Sequence, residues 1–516
     1  MSDRPAVIAG FDDRSVEPGV WRYVHARRAR VVIDAENYFD FMQQAMLGAR
    51  ERILMIGWDF DTRIHLSTGR RWWEKGLNRT YPVRLGSFIP WLARRNSKLE
   101  IRILNWTYSV VKFVGRGSMA LDIMRWWPHR RIDFKFDTAH PVGCSHHQKI
   151  VVIDDNFAVC GGIDMTSRRW DTRAHLENNP HRHRTNGEQY GPWHDLTMIV
   201  EGEAAEALEE LGRYRWARAG GRPLKPARRT GHSAWPESLE ADFENVEIGI
   251  ARTRAQYGGE PKINEIEQLF LRQIAEAKHF IYAESQYFAS RKIAEAMAVR
   301  LAEPDPPEII IVHPISADGW VESKAMDSAR ARLYAAIREL DTHDRFHLYV
   351  PFTGNTPIYV HAKLMIVDDR ILRVGSANFN NRSMGLDSEC DVFVDCERPG
   401  NIHCSERIRE MRLSLLGEHC GIDPEEVARL IERHGSMAGM VAGLGPGRAR
   451  TLRPFHPPPL NDLEIELADR EILDPESPPA MFELRPPSRG LFRQGSLLAR
   501  SMRKLKTKAS KMRRRR

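Results

Sequence analysis

Cysteine is scarce in this chain. Six cysteines among 516 residues, at positions 144, 160, 390, 396, 404 and 420, form no CxxC pair. That sparseness excludes a secreted disulfide scaffold and argues against a cysteine-built zinc site, so a reducing compartment is expected. Long apolar runs are missing as well. Nowhere do about 18 to 20 apolar residues follow one another, as a membrane-crossing helix requires. The opening MSDRPAVIAGFDDRSVEPG has no apolar core of signal-peptide length, and a protein peripheral to a membrane or free of one is expected. Acidic residues are absent from the C-terminal end. Residues 489–516 hold 12 Lys or Arg and no Asp or Glu. Those twelve exceed the net charge of +8 carried by the whole chain, so the body before them is slightly acidic and the basic character belongs to a tail.

What the chain does have is a copy of itself. HQKIVVIDDNFAVCGGID, residues 147–164, and HAKLMIVDDRILRVGSAN, residues 361–378, share His, Lys, two Asp and Gly at identical spacings, with a constant offset of 214. A helical apolar pattern running into a strand precedes each copy, from Phe39 and from Phe270. Within each copy two apolar runs flank an Asp-rich turn, which reads as a β-hairpin. The length suits two such units. The expected fold is α/β: two pseudo-twofold-related domains, each a mixed sheet flanked by helices, with the active site at their interface. The expected order is an N-terminal segment (1–24), a first domain (25–215), a Gly-, Pro- and Arg-containing linker (216–244) and a second domain (245–420). A helical and Pro-rich extension (421–487) and a basic tail (488–516) follow.

Side chains two apart on a strand face the same way, so His147 and Lys149 point together, as do His361 and Lys363. If the halves pack with pseudo-twofold symmetry, two imidazoles and two ammonium groups meet in one cleft. That set suits a phosphodiester: the lysines neutralise the nonbridging oxygens, one ring attacks phosphorus and the other protonates the leaving alkoxide. Core packing gives no reason to repeat His and Lys on one face. Asp154 and Asp368, between the apolar runs, have the pattern of ordinary turn residues and are assigned a supporting role in catalysis. In CSHHQKIVVIDD, residues 144–155, the second copy sets its single His opposite His147 and Val360 opposite His146. A zinc reading of His146, His147, His181 and His183 lacks Cys or carboxylate ligands at consistent spacing, and neither a metal nor another cofactor is expected.

With both copies read, the chain closely resembles the phospholipase D superfamily, whose signature is a pair of HxKxxxxD motifs each followed by Gly-Gly or Gly-Ser. GGIDMTSRRWDTRAH from Gly161, GPWHDLTMIVEG from Gly191, ESQYF from Glu284 and RIREMRLSLLGEHCG from Arg407 are similar to the lipid-hydrolysing branch more than to the nucleases. The resemblance covers residues 30–425 and implies that His147 is the nucleophile of a phosphohistidine intermediate. It implies that His361 is the general acid and later base, and that Lys149, Lys363 and Asn378 bind phosphate. Glu389, and in the first half Asp195, are the carboxylates implied to orient an imidazole. Asp164 stands where the second copy has Asn378, and a carboxylate beside a phosphate is unfavourable unless it pairs with Lys or His.

The implied reaction is hydrolysis or transphosphatidylation of a glycerophospholipid, giving phosphatidate and a head-group alcohol. The alternatives are a cardiolipin synthase-like phosphatidyltransferase, a nuclease of the same superfamily, and a catalytically silent scaffold, which the intact His and Lys of both copies disfavour. In the tail, Leu491, Leu498, Met502, Leu505 and Met512 keep one helical face apolar among basic residues. The expected partners are a phospholipid substrate and an anionic membrane bound through this tail, in preference to nucleic acid. The expected place is the cytoplasm, at the inner face of the membrane.

Overall fold

A computed structural model of the protein describes residues 11–515, apart from 68–80, 107–116, 229–231, 319–325, 446, 470, 472–473, 477, 479–489 and 494. In the first half the strands are β1 (Arg22–Ile33), β2 (Arg52–Gly57), β3 (Glu100–Trp106), β4 (Ile132–Asp137), β5 (Ile150–Ile153), β6 (Phe157–Gly161), β7 (Trp193–His194) and β8 (Leu196–Glu201). In the second half they are β9 (Phe243–Arg254), β10 (Ile263–Asn264), β11 (Phe280–Ser285), β12 (Glu308–Val312), β13 (Phe346–Thr353) and β14 (Thr356–Pro357). β15 (Tyr359–Val360), β16 (Lys363–Val367), β17 (Ile371–Gly375), β18 (Glu389–Asp395) and β19 (Arg450–Pro454) complete it.

The main ladder runs β4-β3-β2-β5-β6-β8-β1-β9-β18-β17-β16-β11-β12-β13-β19, and among the described residues no pairing joins its two ends. Read inward from β4 or from β13, the order is the same. A parallel triplet comes first, then the antiparallel hairpin of the repeated motif, then the strand after it, then the long strand at the seam. The seam is the antiparallel pair β1 and β9, with Arg22 opposite Ile250 and Ala29 opposite Phe243.

Alternation along each strand divides the core. Leu54, Ile56, Ile150 and Val152 face an interior they share with Leu364, Ile366 and Val392 of the other half and with the helices Glu203–Arg218 and Ser405–Cys420. Their neighbours Ile53, Met55, Val151 and Ile153 face outward, under the helix Ala35–Gly48. Met365 and Val367 do the same under the helix Glu265–Glu276. Covering both faces explains why these strands read as continuous apolar runs. The halves therefore hold one core in common.

Both hairpins turn through paired aspartates in left-handed backbone, at φ 53° and 55° for Asp154 and Asp155 and 54° and 50° for Asp368 and Asp369. Asp tolerates that conformation better than most residues. The Asp154 carboxylate accepts hydrogen bonds from the backbone N–H groups of Arg50, Glu51 and Arg52 at 2.7, 2.7 and 2.8 Å. Asp368 takes those of Lys278, His279 and Phe280 at 2.7, 2.8 and 2.8 Å. Each thus ties the turn before β2 or β11 to its hairpin, at the far end of the strand from the His and Lys. The turn reading holds, and the geometry gives neither Asp154 nor Asp368 a place beside the reacting groups.

Three segments differ from the expected division. Between 216 and 244, Trp235 and Leu239 are buried in the outer core of the first half, so the later part of the linker packs against that half. In the extension, β19 adds an edge strand to β13, with Val350 opposite Arg453. The tail forms the helix Leu497–Arg515, and Leu491, Leu498 and Met502 are buried with the helices Arg291–Leu301 and Ser328–Leu340 of the second half. Ser501 Oγ donates to the Ala336 carbonyl at 2.7 Å, and Lys508 pairs with Glu339. The side chain of Met512 lies outside the described residues. The amphipathic pattern is real, but at Leu491, Leu498 and Met502 its apolar face is covered by the protein itself. No helix among the described residues is long and apolar enough to cross a membrane.

Replacing Asp154 or Asp368 by Ala leaves three amides without their acceptor, and each change is expected to cost about 2 kcal/mol or more of unfolding free energy. Asp154→Ala should cost more, because its amides are more deeply placed. Urea denaturation measures both, and a variant that keeps its midpoint would contradict the tethering role.

Candidate active site

The segment before each His–Lys pair lies in parallel register with the segment that carries a carboxylate in the other half. Ser388 N donates to Ser145 O at 2.9 Å and His147 N to Ser388 O at 2.9 Å. Correspondingly, Tyr359 and Val360 pair with Trp193 and His194, and His361 N donates to His194 O at 2.7 Å. This parallel pairing sets His147 beside Glu389 and His361 beside Asp195. The Nδ1 of His147 lies 3.0 Å from Glu389 Oε2, and the Nδ1 of His361 lies 2.7 Å from Asp195 Oδ2. Each imidazole is oriented by a carboxylate from the opposite half. Its Nε2 is left to face the cleft.

The carboxylates are themselves fixed. Ser376 and Ser383 donate their hydroxyls to the two oxygens of Glu389. In the first half the residue at the position of Ser376 is Gly162, and a Cβ there would stand 2.1 Å from Asp195 Oδ1. The shorter Asp195 comes down onto a glycine where the longer Glu389 reaches a serine hydroxyl.

Lys149 Nζ donates to its own motif's His147 carbonyl at 2.7 Å and lies 3.4 Å from Asp164 Oδ2. Lys363 Nζ donates to the His361 carbonyl and to Gln286 Oε1, the latter at 3.2 Å. Asp164 is thus paired with a cation, while its Oδ1 accepts the N–H of Trp58 at 3.0 Å and holds the loop after β2. Asn378 is buried and its Oδ1 makes no hydrogen bond. The two equivalent positions have parted: the Asn378 oxygen is buried without a hydrogen bond, whereas Asp164 sits beside the Lys149 ammonium. Arg169, buried over the Trp193 ring at 4.6 Å, adds a further cation acting on His361.

Burial, and after it the charges of Lys149 and Lys363, hold His147 well below the ordinary histidine value. Burial does the same to His361, helped by Lys363, Arg169 and Lys149. Desolvation pushes Glu389 up to about 8 and Asp195 up to about 7, and lowers Lys363 to about 7. A buried site rich in cations disfavours imidazolium and favours an incoming anion. The His147 side chain is 15% exposed and that of His361 6%, so His147 is the more open to a bulky substrate.

His146 is elsewhere engaged, with Nδ1 at 2.7 Å from Ser388 Oγ and Nε2 at 3.2 Å from Asp137 Oδ1. Among the described residues no cluster of metal donors forms around His146, His147, His181 and His183. Sequence reasoning did not single out Arg169, Gln286 or Ser376. Gln286 stood within ESQYF, Ser376 within GSAN and Arg169 within GGIDMTSRRWDTRAH, so each had a local signal.

Known proteins share similarity with this chain. A family model described as "Cardiolipin synthase, PLD-like domain" matches residues 270–408. Phospholipase D1 of Saccharomyces cerevisiae is 24% identical over 505 residues, covering 77% of this chain and 29% of that protein. Phospholipase D A of Dictyostelium discoideum is 24% identical, covering 77% and 36%, and phospholipase D alpha 4 of Arabidopsis thaliana 22%, covering 76% and 64%. The chain therefore spans about a third of the length of the first two relatives and somewhat under two thirds of the other. A crystal structure of phosphatidylserine synthase from Haemophilus influenzae aligns over 82% of this chain and 96% of that one, with 12% identity and a TM-score of 0.49. A duplicated unit that brings one His–Lys pair from each half into a single cleft defines the class of protein. Residues 270–408 match that PLD-like domain family, and the chain as a whole is similar to phospholipases D.

Because its pKa is raised, Glu389 favours the folded state while protonated, and that contribution is lost as the pH climbs from the ordinary carboxylate range through about 8. Relative to the unaltered protein, Glu389→Gln is expected to gain stability steadily from about pH 5 to about pH 9. Denaturation midpoints across that range test the assignment, and a difference independent of pH would remove its basis.

Proposed function

We propose that the protein is a phospholipase D-type phosphodiesterase that cleaves or exchanges the head group of a glycerophospholipid through a phosphohistidine intermediate. The observation that carries this reading is the crosswise orientation of His147 by Glu389 and of His361 by Asp195. Lys149 and Lys363 lie close enough to act on both rings. The names of the relatives support a lipid phosphodiester as substrate.

The neutral Nε2 of His147 attacks phosphorus, forming an N–P bond as the bond to the head-group oxygen breaks. His361 gives that oxygen its proton. A bound phosphodiester anion raises the His361 pKa from its depressed value in the free site, so substrate itself charges the acid. Lys149, Lys363 and Asn378 bind the nonbridging oxygens and neutralise the charge that grows on them. His361, now neutral, next takes a proton from water or an alcohol, which displaces His147 and releases phosphatidate or a new phospholipid. The family description matched by residues 270–408 favours a second reading in which another lipid is the accepting alcohol.

In this reading the protein meets the bilayer from outside it. Leu121, Met124 and Trp127 follow one another at three-residue spacing and are 53%, 64% and 85% exposed. They supply apolar contact, while the basic outer face of the C-terminal helix contributes long-range attraction to anionic lipid on the cytoplasmic side.

Phosphatidylcholine vesicles with added ethanol are expected to yield choline, phosphatidate and phosphatidylethanol. His147→Ala and His361→Ala should each lower the rate at least about 100-fold. Thin-layer chromatography or mass spectrometry reads the products. Cleavage of DNA with lipids left intact, or full activity of His147→Ala, would refute the reading.

A further inference from the structure

Behind the proposed catalytic groups lies a second cluster that the chemistry above does not use. Asp34, His175 and His194 of the first half and Glu418 of the second are all buried, three of them fully, and one donor atom from each lies within 4.8 Å of all the others. The inner edges are short. His175 Nε2 is 3.0 Å from Glu418 Oε1 and 3.5 Å from Asp34 Oδ2. His194 Nδ1 is 3.0 Å from Glu418 Oε1 and 3.2 Å from Asp34 Oδ1. A tetrahedral site with bonds of about 2.0–2.1 Å places neighbouring donors about 3.3 Å apart; these four edges lie near that spacing, with Asp34 presenting Oδ2 to His175 and Oδ1 to His194. Asp34 Oδ2 and His194 Nδ1, both inside this space, form no well-aligned hydrogen bond.

The outer contacts match what metal-bound histidines require. His175 turns its other nitrogen, Nδ1, to Asp171 Oδ2 at 3.0 Å, and Asp171 is held by Arg182. His194 turns Nε2 to Glu284 Oε2 at 2.7 Å. A carboxylate on the far nitrogen fixes the tautomer and leaves the near nitrogen as a lone-pair donor. The remaining oxygen of Glu418 is taken by Arg173. Two of the four donor residues sit on backbone that L residues rarely adopt, Asp34 at φ 63° and His175 at φ 42°, conformations that persist only where surrounding structure enforces them.

We propose that Asp34, His175, His194 and Glu418 bind one divalent first-row transition cation, with zinc as the fit for two imidazoles and two carboxylates at this spacing. Nitrogen donors select against calcium and magnesium. The rival occupant is a pair of protons, since two imidazoliums would balance the same two carboxylates. The cation is structural and not a reactant. It fastens the helix Ser405–Cys420 of the second half to the first, and it backs the carboxylate that aims His361, because Asp34 and Asp195 exchange hydrogen bonds through Asp34 N to Asp195 O at 2.8 Å and Asp195 N to Asp34 Oδ1 at 3.2 Å. His194, moreover, is the residue before Asp195.

The test is metal analysis of the full chain without tag histidines, produced with added zinc and dialysed against metal-free buffer. About one zinc per chain is expected, with a melting temperature that falls on exhaustive chelation and returns on adding zinc. Cobalt in its place should give the visible bands of a four-coordinate site. Glu418→Gln, confirmed folded by circular dichroism, should weaken zinc binding by more than about tenfold. Less than about one-tenth of an equivalent of any divalent metal, with a melting point indifferent to chelator, overturns the proposal in favour of the protonated pair. So does a Glu418→Gln protein that keeps its zinc.

Discussion

An imidazole buried between cations is aimed by the acceptor on its far nitrogen, and here each acceptor belongs to the other half of the chain. His147 depends on Glu389, and His361 on Asp195. Everything that sets the relative position of the halves is therefore upstream of the chemistry. The seam of β1 and β9, the shared interior core and the two short parallel contacts at Ser388 and His194 all serve this end. A shift of about 1 Å between the halves would separate both imidazoles from their orienting carboxylates at once, a displacement of the size that would cost the proposed catalysis heavily.

How much of this could be read beforehand follows from what a spacing can encode. The HxK pattern states which side chains would share a strand face; the structure places His147 and Lys149 just ahead of β5, and His361 just ahead of β16, which begins at Lys363. The internal repeat further fixed the symmetry of the sheet order. What a local pattern cannot encode is the exchange of carboxylates, since the partners lie 242 and 166 residues away. For the same reason the meeting of Asp34, His175 and Glu418 was not legible, although His175 and Glu418 stand within GGIDMTSRRWDTRAH and RIREMRLSLLGEHCG. Asp154 and Asp368 offered two roles of equal pattern, and only the three amides arriving at each carboxylate distinguish them.

The tail teaches the same lesson through packing. Leu491, Leu498 and Met502 were legible as an apolar stripe, but a stripe carries no label for the surface that covers it. A bilayer and the groove beside the helix Ser328–Leu340 satisfy it equally well in transfer free energy, and the groove is attached to the same chain. Proximity decides between them, with Ser501 and Lys508 adding polar contacts that hydrocarbon could not provide.

The pairing of Gly162 with Asp195 in one half and of Ser376 with Glu389 in the other has a consequence for how such a molecule can vary. If each half were a separate chain, a complete site would require two identical copies, and every substitution would appear on both sides of the axis. Joined in one chain, the halves meet at an effective concentration independent of expression level. Each side can then be altered alone, so one imidazole can be tuned without retuning its twin.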